Sequence, residues 1–520
     1  MWGAVLASVL VAVPVSLGLA PTAQAQSQSS LPSLGDSAAE DLTVGAERRL
    51  GDRIMREIRR DPDWLDDALL QDYLNSLWQP LLAAAQSRGD LSDDQRTHFA
   101  LQAFLVRDRS INAFALPGGY VGVHLGLIAL TASRDELAAV LAHELSHITQ
   151  RHIARNIASS RRQSMLGVAS MIVGILAASR SQNADAANAV IVGGQAAAVQ
   201  GQLNFSRDME READRVGFGV LDGAGYAPEG MAGMFDRLQF ASRLNDSGQF
   251  PYLRSHPLTS ERIAEARGRL GTTSGRKTTP SVAQWLHATM QGRARAMMDS
   301  RTETLTRLAG GGVPTAAAAA QTPEALATAC AAAVAAMRLK DWRVADAALA
   351  RARTLATPQG ESVVRAVQVM QVESLLERGQ AAEAARVLSS GVLDGSRAGL
   401  LLGARLASLP GSETALVSRT REDLQTWVAL HADDAGAWLA LAQVNERQGA
   451  SLAALRAHAE ARFAQGDLSG AVDRLRAGQR LARSKGAVES MDGVIIESRL
   501  KAIEQQRRTE MEQERNGQRD

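Results

Sequence analysis

The 520-residue sequence predicts an α+β protein that is mostly α, with a helical domain that contains a small β-sheet and a second, repeat-like helical domain. Amphipathic helix patterns surround one short segment, from Thr97 to Val121, that is rich in β-forming residues. Beyond a Gly- and Ala-rich linker that ends near residue 320, the pattern is helical throughout. This length also favours two or more domains over one.

Residues 1–25 have the pattern of a secretory signal peptide. Residues 2–20 are almost wholly apolar, and Ala23-Gln24-Ala25 matches an A-x-A cleavage site, so we expect export with Gln26 as the first mature residue. The alternative is an uncleaved membrane anchor, because no Lys or Arg precedes the apolar run.

The net charge and the cysteine count argue against nucleic-acid binding and against a disulfide within the chain. The net charge of +1 gives no electrostatic basis for binding nucleic acid. The single cysteine, Cys330, excludes a disulfide within the chain. A metal site in this protein would therefore depend on histidines and carboxylates.

The N-terminal part of the mature chain predicts helices followed by strands. Residues 40–86 indicate two amphipathic helices, Val44–Arg60 and Asp63–Ala85. The segment Thr97–Val106 alternates apolar and polar residues and indicates a strand. Short strands around Ala113 and Val121 follow, joined by a turn at residues 117–119.

This small sheet offers a way to bind an extended peptide. An exposed edge strand can pair with a peptide through main-chain hydrogen bonds, with little demand on its sequence. Asn112, Ala113 and Phe114 are the candidate residues of such a substrate-binding strand. A plain structural hairpin is the alternative.

The stretch from Ser133 to His147 carries the clearest chemistry. Ser133 and Glu136 have the spacing of a capping box, so a helix is predicted independently of the histidines it carries. His143 and His147 are four residues apart and share one face of that helix. In an H-E-x-x-H motif the two histidines bind Zn²⁺, and the glutamate, here Glu144, takes a proton from the attacking water. The alternative is a polar helix face that carries two histidines by chance.

A third ligand must come from elsewhere in the chain. A metzincin would have glycine and histidine where Gln150 and Ile153 stand, and His152 is off register by one, so that class is excluded. Further on, Glu210 and Asp214 are four residues apart on a second helix pattern. One carboxylate can bind zinc while the other accepts the N–H of a ligand histidine. The alternative is a surface helix rich in ion pairs.

These residues resemble the zinc peptidase family M48 of the gluzincin group, which includes HtpX and the CAAX prenyl proteases. Four motifs match in order over about residues 40–270: Asn112–Val121, His143–His147, Glu210–Asp214 and His256-Pro257 followed by Arg262. The resemblance implies a zinc endopeptidase with one Zn²⁺ per chain. Its ligands would be His143, His147 and Glu210, its catalytic base Glu144, and its supporting carboxylate Asp214.

His256 is a further candidate for the zinc site. It precedes Pro257, so it is expected at the end of an extended or turn segment and not within a helix. Near the zinc it could donate to the developing oxyanion, or it could act as a regulatory fourth ligand that silences the site. We favour the fourth ligand, because a protease among unfolded clients needs restraint. A turn histidine with no role is the alternative.

An apolar insertion, residues 155–202, separates the two candidate ligand-bearing helices. Its two Ala-, Gly- and Val-rich runs, Met165–Ala178 and Ala186–Val199, are shorter than the ~20 residues needed to span a bilayer. We therefore expect a soluble protein or one in peripheral membrane contact. The insertion could be a buried helical pair, a lid over the zinc cleft, or a surface for membranes or apolar substrates.

The C-terminal part predicts helical repeats. We expect the peptidase-like domain at residues 26–275, a helix and linker at 276–320, and repeats at 321–510. Gly449 and Gly466 are 17 residues apart, half of the tetratricopeptide period, and each precedes a helix pattern. Stacked repeats of this kind provide a concave surface for partners.

The combination of signal peptide, M48-like domain and repeats resembles periplasmic members of the family. That resemblance implies quality control of outer-membrane proteins, with unfolded or misassembled outer-membrane proteins as substrates. It also implies that the repeats contact the β-barrel assembly machinery. The competing hypothesis is a non-proteolytic periplasmic chaperone or adaptor; Glu144, which a structural zinc site does not require, favours the enzyme.

Overall fold

The computed structural model describes residues 42–159, 206–244, 251–270, 281–311, 321–392 and 394–517. Over these ranges the chain is mostly helical with one four-stranded sheet, which confirms the α+β class. The predicted signal peptide, residues 160–202 of the apolar insertion and residues 312–320 of the linker lie outside the described residues.

The first half of the chain places the sheet among helices. Its strands are β1 (Trp64–Leu65), β2 (Gln102–Val106), β3 (Ala113–Leu116) and β4 (Tyr120–His124). Its helices are α1 (Val44–Ile58), α2 (Ala68–Ser87), α3 (Asp93–His98), α4 (Leu125–Leu130), α5 (Arg134–Thr149), α6 (His152–Ser159), α7 (Arg207–Gly223), α8 (Glu229–Leu244), α9 (Pro251–Ser255), α10 (Ser260–Arg269), α11 (Val282–Met297) and α12 (Thr302–Gly310).

The sheet has the strand order β1-β2-β4-β3, so β3 is an outer strand. β2 runs parallel to β4, whereas β3 runs antiparallel to β4 with Phe114 opposite Gly122. A side chain at Gly122 would collide with the Phe114 ring, since a Cβ there would lie 2.3 Å from Phe114 Cζ. Glycine at this position therefore lets the Phe114 ring lie across β4.

Two predicted elements begin later than the sequence indicates. The predicted strand Thr97–Val106 starts only at Gln102, because Ser92 and Gln95 form a capping box that makes the preceding residues helical. The predicted helix Asp63–Ala85 starts only at Ala68, because β1 pairs with β2 before Asp67 caps the helix.

The second half of the chain consists of helices joined mostly by short turns. They are α13 (Pro323–Arg338), α14 (Trp342–Ala356), α15 (Glu361–Glu377), α16 (Ala381–Val387), α17 (Arg397–Ala407), α18 (Thr414–Leu430), α19 (Ala435–Arg447), α20 (Ser451–Ala464), α21 (Leu468–Ser484) and α22 (Met491–Gly517). Gly449 and Gly466 have φ of 72° and 77°, so each supplies the left-handed residue that ends one helix before the next begins. The tetratricopeptide character of these helices stays a prediction.

The helices on the two sides of the linker share one hydrophobic core, which extends from Val44 to Leu406. At Gly292 of α11 an added Cβ would lie 2.2 Å from the carbonyl oxygen of Ala327, so α11 and α13 pack closely. The buried Arg293 guanidinium lies 2.8 Å from Asp67 and 2.7 Å from Glu373. It therefore joins α11 to the N-cap of α2 and to α15. Among the described residues, no helix is both long and apolar enough to span a membrane.

Candidate active site

Helix α5 holds the two motif histidines inside the protein. Its N-terminus is capped as expected in one respect: the Glu136 N–H donates to Ser133 Oγ at 3.1 Å. In a full capping box the Ser133 N–H would also donate to the Glu136 side chain. Here the Glu136 carboxylate instead accepts from the Ala132 N–H and from Arg237. Almost every residue of α5 is buried, which fixes the directions of its side chains.

Helix α7 brings the carboxylates to these histidines. Gly217 lies against the α5 backbone, where an added Cβ would be 3.1 Å from the carbonyl oxygen of Ala142. This close approach lets side chains one and two turns earlier on α7 reach α5. Glu210 and Asp214, which the sequence placed on one face, both point toward His143.

Four donor groups meet in one buried cluster: His143, His147, Glu210 and His256 each offer an atom, and these atoms all lie within 4.8 Å of one another. The Nε2 atoms of His143 and His147 are 3.0 Å apart. The Glu210 carboxylate lies 3.5 Å from each of these two nitrogens. Two imidazoles and a carboxylate at this separation are a donor set that suits Zn²⁺.

Asp214 supports the cluster from behind. Its Oδ1 lies 3.0 Å from His143 Nδ1, on the side of the ring away from the other donors. Arg262 donates to both Asp214 oxygens, at 2.6 and 2.8 Å, and its Nη1 is 2.9 Å from Glu210 Oε2. Asp214 therefore lies beside a predicted ligand histidine, and Arg262 contacts both Asp214 and Glu210.

Burial and charge oppose each other in this cluster. Burial lowers the pKa of His143, but the Asp214 and Glu210 carboxylates outweigh it and raise that pKa to about 10. Burial and the neighbouring His143 lower the pKa of His147 well below its usual value. Burial raises the pKa of Glu210, but His256 and His143 outweigh it and hold that pKa far below its usual range. The neighbouring charges therefore favour the ionised form of Glu210.

Glu144 lies beside the cluster and is fully buried. Neither of its carboxylate oxygens has a hydrogen-bond partner among the residues that the structure describes, and His256 Nε2 lies 3.6 Å from Oε1. A buried carboxylate without partners is costly, so we expect Glu144 to contact a group beyond the residues described. The arrangement fits a metal ion held by the cluster and a water molecule that Glu144 can contact.

His256 follows α9 in a bend, as its position before Pro257 predicts. Its Nδ1 lies 2.9 Å from Glu210 Oε1 and 3.4 Å from His143 Nε2, and the residue is buried. The structure thus brings His256 into the same cluster as the three predicted ligands.

Comparison with known proteins agrees with this geometry. The family described as Peptidase family M48 matches residues 74–270. These residues are an M48 metallopeptidase domain. The resemblance deduced from the four motifs is thereby confirmed.

The chain is also similar to several named proteins. It is 38% identical over 241 residues to the putative beta-barrel assembly-enhancing protease of Vibrio cholerae, with 46% of this chain and 47% of that protein covered. It is 35% identical over 255 residues to the beta-barrel assembly-enhancing protease of Escherichia coli K12, with 49% and 50% covered. It is 31% identical over 157 residues to the mitochondrial metalloendopeptidase OMA1 of Saccharomyces cerevisiae, with 30% and 42% covered. The chain thus spans about half the length of the first two relatives.

The outer strand of the M48 domain lies close to the cluster. β3 packs against α5, and the Tyr252 N–H of α9 donates to the carbonyl of Ile111, just before β3. The His124 N–H donates to the Asn112 carbonyl, so in this antiparallel pair the main-chain groups of Asn112 and Phe114 face β4. The N–H and C=O of Ala113 and Ala115 therefore face the outer edge.

Sequence reasoning missed two supporting groups of the M48 domain. Arg262 belongs to a matched motif but has no role assigned from the sequence, although it binds the carboxylates of Glu210 and Asp214. His152 was considered only as a metzincin ligand, whereas its ring lies against His147, with 2.9 Å between their Nδ1 atoms. The Arg262 motif could have indicated an ion-pair partner, whereas the contact of His152 depends on a turn that the sequence does not reveal.

Proposed function

We propose that this chain is a zinc endopeptidase of the periplasm that hydrolyses unfolded or misassembled outer-membrane proteins. The observation that carries the proposal is the buried cluster of His143, His147 and Glu210, beside which the Glu144 carboxylate has no partner among the described residues. Ligands for one metal ion and a base for one water molecule therefore occupy a single site in the M48 domain.

Each residue of this site has its own role in hydrolysis. His143, His147 and Glu210 would hold the zinc, which when bound supplies Lewis acidity and lowers the pKa of water. Glu144 takes a proton from the attacking water and later returns it to the leaving amine. Asp214 keeps His143 oriented by accepting from its Nδ1, and Arg262 fixes Asp214.

The outer edge of β3 is the proposed substrate-binding strand. The outward main-chain groups of Ala113 and Ala115 can pair with an extended peptide and hold it beside α5. Binding through main-chain groups demands an unfolded segment but little particular sequence. Clients that fail to complete a β-barrel offer such segments.

The names of two relatives and the sequence pattern support the client class. Both relatives are named beta-barrel assembly-enhancing proteases. The expected signal peptide at residues 1–25 would deliver the chain to the periplasm, where barrel proteins pass before assembly. We propose that the helices after residue 321 contact the β-barrel assembly machinery, and that residues 155–202 provide any peripheral membrane contact.

Digestion of one barrel protein in two states tests this function. The purified chain should cleave the urea-unfolded barrel protein after dilution and leave the same protein intact when it is folded in detergent. A zinc chelator should stop cleavage, and added zinc should restore it. Cleavage that continues without metal, or equal cleavage of the folded barrel, would contradict the proposal.

Substitution of Ala115 by proline tests the strand. Proline removes an N–H that faces the outer edge, so the pairing of β3 with β4 should persist while one bond to substrate is lost. A hydrogen bond contributes about 0.5–1.5 kcal/mol, so kcat/KM should fall about threefold to tenfold. Ala115→Ser keeps the N–H and is the matched control. Equal kcat/KM values for the two variants would mean that peptides do not pair there.

A further inference from the structure

His147 contacts a third imidazole on the side of its ring away from the cluster. Its Nε2 faces His143 Nε2 at 3.0 Å, whereas its Nδ1 lies 2.9 Å from Nδ1 of His152. His152 is fully buried, and its own Nε2 lies 3.0 Å from Glu212 Oε2. Arg155, one turn further along α6, donates to the same Glu212 oxygen at 2.9 Å.

With a metal on His147 Nε2, these contacts allow one arrangement of the ring hydrogens of His147 and His152. A histidine that binds a metal through Nε2 keeps its hydrogen on Nδ1, so His147 donates to His152. His152 must then accept at Nδ1 and carry its hydrogen on Nε2, which it donates to Glu212. Each donor in this chain meets an acceptor, and the series ends on a carboxylate that Arg155 also binds.

Each of the two motif histidines is thus linked to a carboxylate of α7. His143 donates directly to Asp214, which Arg262 binds. His147 reaches a carboxylate of the same helix, Glu212, but only through His152. Glu212 lies between Glu210 and Asp214 in sequence and therefore on a different side of α7, so a second ring is needed to span the distance.

The turn that delivers His152 is unusual. Arg151, between α5 and α6, has φ of 52°, a left-handed conformation that non-glycine residues adopt infrequently. Its side chain holds this turn by contacts to Glu47 at 3.2 Å and to the Leu42 carbonyl. This strained turn joins α5 to α6 within two residues, and the His152 ring lies against the His147 ring.

We propose that His152, with Glu212 and Arg155, is a positioning residue that fixes the ring orientation and tautomer of His147 for zinc binding. The inference rests on the proposed function, since it assigns a role toward the zinc held there. It adds a relay of three residues, His152, Glu212 and Arg155, to the site. Outer partners of ligand histidines typically change metal affinity about 10- to 100-fold.

The test measures zinc affinity apart from proteolysis. The zinc dissociation constants of wild type, His152→Ala and His152→Gln should be measured by competition with a chromophoric chelator. His152→Ala should bind zinc about 10- to 100-fold more weakly, because His147 loses its acceptor. Gln can accept from His147 and donate to Glu212, so His152→Gln should recover most of the affinity. At saturating zinc, the alanine variant should regain most of its proteolytic rate, because His152 does not touch the substrate.

Two further variants keep the test decisive. Glu212→Ala, at a partly exposed position, removes the acceptor of His152 and should also weaken zinc binding, and it serves if His152→Ala fails to fold. Arg211→Ala, on the exposed neighbouring position of α7, should leave the affinity unchanged. If wild type binds zinc and digests protein but His152→Ala and Glu212→Ala keep its dissociation constant, this inference fails and the proposed function stands. If wild type binds no zinc, both fail.

Discussion

Glu144→Gln is expected to lower the rate of peptide-bond hydrolysis by about 10²- to 10⁴-fold, the usual contribution of a general base. Glutamine has nearly the same size as glutamate but cannot take a proton from water. Because both carboxylate oxygens of Glu144 lack partners among the described residues, the amide would break no hydrogen bond between those residues. The variant should therefore fold and retain its zinc.

The measurement is the initial rate of cleavage of an unfolded barrel protein at saturating zinc. Glu144→Asp is the matched comparison, since it keeps a carboxylate but withdraws it from the water, and it should retain more activity than the amide. Wild-type activity in Glu144→Gln would contradict the mechanism. A wild-type chain that binds zinc but cleaves no unfolded barrel protein would instead favour the alternative function, a chaperone or adaptor whose zinc site is structural.

His256→Ala should change proteolysis strongly, and the sign of the change distinguishes two roles. As a fourth ligand, His256 restrains the site, and its removal should raise the rate. As a donor to the oxyanion, its removal should lower turnover about 100-fold or more. We expect the increase, because His256 Nδ1 lies 2.9 Å from Glu210 Oε1 and 3.4 Å from His143 Nε2, among the other donors.

Zinc affinity and kcat must be measured together for this variant. If His256 is a fourth ligand, its loss should weaken zinc binding and raise kcat. If His256 is an oxyanion donor, its loss should lower kcat with little change in zinc affinity. His431→Ala, at an exposed histidine of α18's C-cap, controls for histidine loss in general. Unchanged activity and unchanged zinc affinity in His256→Ala would exclude both roles.

The sequence could predict residues that share a helix better than residues that meet across helices. The spacing of four placed His143 with His147, and Glu210 with Asp214, because one helical turn fixes both pairs. The distance between the two helices is set by Gly217 against Ala142, a contact that no spacing reveals. The family resemblance, and not helix periodicity, joined the two pairs into one site.

Elements that depend on capping or unusual backbone were harder to predict. Residues 97–101 have the composition of a strand, yet the capping box at Ser92 and Gln95 makes the first of them helical. His152 could not be placed because its direction depends on the left-handed conformation of Arg151. The domain boundary near residue 320 stays a prediction, and across it Arg293 binds Glu373 and the helices on both sides share one core.

The zinc content of the purified chain tests the central claim most directly. Metal analysis of the wild type should find one zinc ion per chain. The same analysis of His147→Ala, at a residue whose Nε2 lies 3.0 Å from His143 Nε2, should find almost none. A wild-type chain without zinc, or a His147→Ala variant that holds as much as the wild type, would contradict the assignment of this cluster as the catalytic metal site.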